Sequence, residues 1–263
     1  MIKRELIVNI KSFIICLSIL IVMFLMVYLI YPFIITEDTI NQMDELMKMF
    51  PEELLKAFNM DMASISNVYG WIKTEGLMFV MITVGIYASI MGASILLKEE
   101  NDKTIEYLGF LPIKRSKILI NKLIVSVIYI VVLIVVFGLF NFIALLISGD
   151  FDKQQFLLLS ISPLFMALPL YALCLFISTF MHKTKGVIGL GLGLVLIFYF
   201  LNIAAELSDK VEFFKYFSLY TLADTRNIIE NTKISIVCIL VSIALSAIFI
   251  VLTYFRYNKK ELI

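Results

Sequence analysis

LLKEENDKTIEYLGFLPIKRSKILINK, residues 96–122, holds ten charged side chains between two long apolar runs. How this stretch is read decides the fold, because everything on either side of it is greasy. Hydrophobic residues make up 61% of the 263-residue chain and charged residues only 16%, and the mean hydropathy is +0.99. A soluble domain is usually about 45–50% apolar and about 25% charged. The excess here comes in blocks of membrane-spanning length, roughly 20 residues each. The charged stretch therefore reads as the link between two membrane spans.

Working outward from it, six spans are expected, over 13–35, 77–97, 118–147, 156–181, 187–205 and 234–254. The runs are continuously apolar rather than alternating, so the spanning element is a helix and not a barrel strand. The third run is long. At about 1.5 Å per residue it outreaches a bilayer core of about 30 Å, so it tilts or projects beyond it. The N-terminus, MIKRELIVNIKSF (1–13), has the positive start of a signal peptide, but no small-residue cleavage site follows; it reads as leading into a retained first span. With no strong internal repeat and no low-complexity linker, a single transmembrane domain over 1–263 is expected.

Charge bias sets the orientation. The N-terminus, the segment around 98–122, the loop after Met181 and the C-terminal tail carry 14 Lys/Arg and 6 Asp/Glu. The loops on the other side carry 8 and 15. Lys and Arg mark the cytoplasmic side, so both termini and the charged stretch are expected inside a cell membrane. The abundance of Ile and Lys suggests an AT-rich bacterial genome. The net charge of +1 gives no global field that would point to nucleic acid.

Enzyme chemistry finds little to work with. His182 is the only histidine, beside Lys183 and Lys185, which excludes a site built on two helical histidines. The pair Glu99–Glu100 has no histidines to act with as in an intramembrane protease. No phosphate-cradling G-x-x-x-x-G-K-[ST] occurs, since the glycines of KGVIGLGLGL (185–194) precede leucines. Cys16, Cys174 and Cys238 sit singly in apolar runs and read as packing residues. No cofactor or metal is expected on the chain.

Inside the spans, the cores are read as free of charge, which disfavours ion-coupled transport through a buried carboxylate. Weakly polar and small groups remain. Thr83, Tyr87, Ser89 and Ser94 lie on the second span, Asn141 on the third and Asn202 on the fifth. Gly85, Ala88/Ser89 and Gly92/Ala93 recur at helical spacing, and Gly189 and Gly193 form G-x-x-x-G. Such residues let helices approach closely or hydrogen-bond. Thr83, Tyr87, Ser89, Gly92, Gly189, Gly193 and Asn202 are the candidates for a pathway or a dimer interface. Pro163 and Pro169 should kink the fourth span. In the loop 36–76, Ile40, Met43, Met47, Phe50, Leu54, Phe58 and Met62 fall at helical spacing, and Pro51 suits a helix start, so amphipathic helices are expected on the outer surface. A weaker cap of the same kind is expected over 206–230.

The charged stretch itself divides in three. KEENDKT can begin a helix; in TIEYLGFL, Ile105, Leu108 and Leu111 share one helical face; then Pro112 breaks the run and IKRSKI re-enters the membrane. An amphipathic helix, a proline turn and a basic patch make an interaction element or an ordinary positive-inside loop. At this point the segment resembles the coupling region of type-2 ABC exporter permeases. That family shows a charged E-x-E run, Thr-x-Glu-x-Leu, Pro-Ile with basic residues, and a Lys early in the next helix. Glu99, Glu100, Thr104, Glu106, Leu108, Pro112, Ile113, Lys114, Arg115 and Lys122 stand in those places, with Lys103 where Gly is common. The resemblance implies an all-α membrane protein of six transmembrane helices, a cytoplasmic amphipathic coupling helix within 98–117 and extracellular amphipathic helices. It also implies separate ABC ATPase subunits that hold ATP and Mg, and a second permease copy, identical or related. Glu99, Glu100, Thr104, Ile105, Glu106, Leu108, Leu111, Pro112 and Arg115 would couple to the ATPase. The competing expectation is an ATP-independent channel or scramblase.

Overall fold

The computed structural model describes residues 2–34, 36, 39, 42, 45–46, 48–51, 68–101, 114–148, 151–207 and 209–259. Among these residues there is no strand. Six helices are long and apolar enough to cross a membrane: α1 (Ile2–Ile34), α2 (Val68–Ile95), α3 (Arg115–Ser148), α4 (Lys153–Ser178), α5 (Thr184–Leu207) and α6 (Ile236–Lys259). The fold is an all-α membrane protein. Most of the expected coupling segment 98–117, its residues 102–113, lies outside the described residues, and so does most of the expected outer helical region before Val68.

Two helices start two turns or more before the apolar runs suggest. α1 begins at Ile2 rather than near Phe13. Its first turn carries Glu5, the sign that suits the positive end of a helix, and Glu5 and Asn9 lie buried on one face while Lys3 and Arg4 stay exposed. α2 begins at Val68 rather than Leu77, and Lys73 and Glu75 lie within it. A π-helical stretch, Ile72–Gly76, interrupts its regular winding. The hydroxyl of Thr74 donates to the carbonyls of Gly70 at 3.1 Å and Trp71 at 3.3 Å, back onto the turn before it.

α2 and α4 form the centre. In each, 56% of the most apolar window is buried, against 11% in α1 and in α6, whose apolar faces point outward. α4 packs on α2 and α6, α5 packs on α2, and α1 packs on α3. The small residues of α2 permit this. A Cβ at Gly92 would run into the carbonyl oxygen of Tyr171 and sit 3.0 Å from Cβ of Cys174. One at Gly191 would lie 3.3 Å from Cβ of Ser89. The backbones of α2, α4 and α5 therefore meet almost without intervening side chains.

The prolines of α4 expose carbonyls, and neighbouring hydroxyls cover them. Proline lacks the N–H that would bond four residues back. Pro163 follows a break at Ser162, and the Ser162 hydroxyl donates to the carbonyl of Leu159 at 3.0 Å. Pro169 sits inside the helix and deprives Phe165 of its helical partner; Ser242 of α6 donates to the Phe165 carbonyl at 2.6 Å. Ser242 is fully buried, so this bond also fixes how α6 docks. Replacing Ser242 by Ala should cost about 1 kcal/mol of stability, in the range measured for interhelical hydrogen bonds in membranes. The same change in a Pro169→Ala background should cost little, because the helix then supplies the missing donor. Thermal unfolding of the four proteins in detergent reads the coupling; equal losses in both backgrounds would refute it.

Candidate functional site

A charged network lies at the end of the bundle where α1 begins, α2 ends and α3 begins. Lys122 of α3 is its hub. The ammonium donates to both carboxylate oxygens of Glu5, at 3.0 and 3.1 Å, and lies 3.5 Å from Oε1 of Glu99. Lys122 is 2% exposed, Glu5 4% and Glu99 7%. Arg4 reaches the outer side of Glu99 at 3.3 Å. Asn9 donates to the backbone oxygen of Glu5 at 2.9 Å, and Lys98 reaches Asn9 Oδ1 at 3.4 Å and the carbonyl of Val8 at 3.3 Å. The Glu5–Lys122, Arg4–Glu99 and Lys98 bonds tie α1 to α3 and to the turn before the 102–113 segment, the Lys122–Glu99 contact joins that turn to α3, and the Asn9 bond lies within α1.

A second set of bonds runs to the loop between α4 and α5. After α2 and the turn at Leu96–Leu97, one helical turn, Lys98–Asn101, carries Glu99 and Glu100. Glu100 lies 3.5 Å from Nδ1 of His182, and the side-chain amide of Asn101 bonds to the hydroxyl of Thr184 at the start of α5. The Tyr129 hydroxyl bonds to the carbonyl of Leu6, continuing the α1–α3 junction inward. The sole histidine is thus a half-exposed partner of a buried carboxylate. Among the described residues no His/Cys/Asp/Glu group is arranged to hold a metal.

Sequence reasoning reached part of this site. Glu99 meets Lys122 and Glu100 meets His182, while Arg115 begins α3 on the exposed surface. Thr104, Ile105, Glu106, Leu108, Leu111 and Pro112 lie outside the described residues. Glu5 was missed, although its spacing to Asn9 would put both on one helical face. The reading of charge-free spans needs correction at Lys122, which falls inside the expected third span and is among the most deeply buried side chains. Its charge is tolerated because two carboxylates meet it.

The candidates for a pathway or interface separate. Ser89 and Gly92 are buried where α2 meets α4 and α5, with the Ser89 hydroxyl donating to the Ile86 carbonyl at 2.9 Å. Tyr87 is buried, and among the described residues its hydroxyl has no hydrogen-bond partner. Thr83 is half-buried. Asn202 accepts from the Thr221 hydroxyl at 3.2 Å, binding α5 to the segment that follows it. Among the described residues nothing lies within 4 Å of a Cβ built on Gly189 or Gly193.

Removing one partner of a buried ion pair costs about 3–5 kcal/mol, whereas replacing the whole set by apolar or neutral groups is often neutral. Lys122→Met, which strands Glu5 and Glu99 together, should therefore unfold far more easily than wild type. Glu5→Gln/Glu99→Gln/Lys122→Met should recover most of the loss. Unfolding midpoints in detergent test this; a single Lys122→Met that melts with wild type would contradict the buried network.

Comparison with known proteins agrees with the helical membrane layout. No curated protein and no solved structure matches the chain. A family model described as ABC-2 family transporter protein matches residues 2–262, nearly the whole chain. The chain is a multi-pass membrane permease of the ABC-2 transporter family.

Proposed function

We propose that the chain is the transmembrane half of an ATP-driven exporter, lying in a bacterial cell membrane with both termini cytoplasmic. Separate ABC ATPase subunits bind ATP and Mg, and the chain itself has no ATPase site. Each ATPase receives the segment between α2 and α3, residues 98–117, through the apolar face of Ile105, Leu108 and Leu111 and through Glu106. Closure of the ATPases on ATP pushes this segment, and the spans re-pack from inward- to outward-facing. A second permease copy, identical or related, completes the path.

The observation that carries this reading is Lys122 held between Glu5 and Glu99. The two flanks of the segment are bonded to each other and to α1, and Glu100 and Asn101 bond to the loop that opens α5. A push on the segment is then delivered to α1, α3 and α5 together instead of being absorbed by a loose loop. Gly189 and Gly193 keep an open face on α5 for the second copy. The interlocked small residues of Ser89, Gly92 and Gly191 favour rigid movement of α2 and α4 as a pair.

The test is recovery of the tagged chain from its native membrane in mild detergent. A bound ATPase subunit is expected in stoichiometric amount, and Glu106→Ala/Leu108→Ala should lose it while still inserting in the membrane. Recovery of the wild-type chain alone, under conditions that keep a known ABC transporter intact, would overturn the proposal in favour of an ATP-independent channel or scramblase.

A further inference from the structure

The half of the bundle away from the charged network contains an elongated cleft. α2 lines it from Tyr69 to Val84, about 22 Å of helix at 1.5 Å per residue. Phe24 of α1, Phe137 of α3 and Phe156 of α4 contribute to the other walls. The enclosed space is small, about 40 Å³, and the rest of the cleft is a groove open to the surroundings. The lining is almost wholly apolar. Its tyrosine and asparagine are already engaged: Tyr69 donates to Gln155 Oε1 at 3.0 Å, and Asn141 Oδ1 accepts from Tyr28 at 3.1 Å.

Lys73 is the one charged side chain in the lining, and among the described residues it has no hydrogen-bond or ion-pair partner. It stands on the π-helical turn of α2, and π turns occur frequently at functional sites. A cation within a helix long and apolar enough to span a membrane is costly unless something of opposite charge meets it. An apolar slot with one convergent polar group is also the usual form of a small-molecule site. The slot is long rather than round, so it suits a chain more than a ring system.

We propose that this cleft binds an anionic amphiphile with a linear hydrocarbon tail, the tail lying along α2 and the acidic head meeting Lys73. The binding does not depend on ATP drive. The ligand has two possible sources with the same chemistry: a resident membrane lipid, or cargo on its way out.

The chain's single tryptophan, Trp71, is a built-in reporter. Its ring centroid lies 6.2 Å from that of Phe24 in the cleft wall. The full chain is placed in nanodiscs of unlabelled phosphatidylcholine and titrated with a dibrominated fatty acid, or with its uncharged methyl ester, while quenching of Trp71 is followed. The acid should quench saturably, with an apparent affinity roughly fivefold above the ester, the scale of a partly exposed ion pair. Lys73→Gln should erase that difference while leaving the weaker quenching by both. Gly138→Leu should remove the saturable component, because Gly138 lines the cleft and a Cβ there makes only ordinary contact, at 3.5 Å from Ser160. Quenching that never saturates would overturn the site. Unchanged preference for the acid in Lys73→Gln would overturn the role of Lys73. Acidic lipid extracted from the wild-type protein but not from Lys73→Gln identifies the membrane as the source. ATP turnover stimulated by the acid, in the complex and lost in Lys73→Gln, identifies cargo.

Discussion

One buried cation organises the end of this bundle. Lys122 cannot reach water, so it must be met by carboxylates, and the two that meet it come from different places in the chain: Glu5 from the first turn of α1 and Glu99 from the turn after α2. A surface ion pair adds little, but a buried one is nearly obligatory once any member is present. That asymmetry makes the network a constraint on geometry more than a source of stability. It holds the start of α1 against α3, and it holds both flanks of the 102–113 segment at a fixed separation. In the proposed function, where an ATPase pushes on this segment, such a footing is what lets force pass on, because force passes only through parts that do not yield separately.

The same principle of forced satisfaction shapes the interior. In hydrocarbon an unpaired backbone carbonyl has no water to turn to. The prolines of α4 create such carbonyls, and Ser162 and Ser242 cover them. The α4–α6 contact is thereby specified by chemistry as well as by shape. Between α2, α4 and α5 the specification is purely steric, through Gly92, Gly191 and Ser89. The bundle thus has a tightly keyed centre and outward faces on α1, α5 and α6 that the centre does not need. Among the described residues the buried hydroxyls of Tyr87 and Tyr220 have no hydrogen-bond partner, and burial pushes the Tyr220 hydroxyl above its ordinary titration range.

How much of this was legible in advance follows from how local each signal is. Six apolar runs announce six helices, because length and composition suffice for a span. The true starts of α1 and α2 were not legible, since Lys3, Arg4, Lys73 and Glu75 read as loop until one sees that a helix can continue through charge where partners or a membrane surface receive it. Glu99 and Lys122 could be singled out by resemblance, yet Glu5 could not, for its partner is 117 residues away and nothing beside it marks the pairing. Pro169 was visible as a disruption; that Ser242 repairs it was not. The G-x-x-x-G of α5 was visible too, but the glycine that packs is Gly191, between the two that form the pattern. Pairing across the bundle is the part that sequence leaves unwritten.

The central claim is that the Lys122 network carries movement from the ATPase-binding segment into the helices. Its most direct test is a distance across the far end of the bundle in the assembled complex. Spin labels at Leu29→Cys on α1 and Phe200→Cys on α5, with Cys16, Cys174 and Cys238 replaced by Ala, report that distance by pulsed electron resonance. Adding ATP should shift it in the otherwise wild-type protein. In Glu5→Gln/Glu99→Gln/Lys122→Met, which should stay folded, ATP hydrolysis should persist while the shift is lost. The same shift in both proteins would show that the network holds the bundle together without transmitting anything through it.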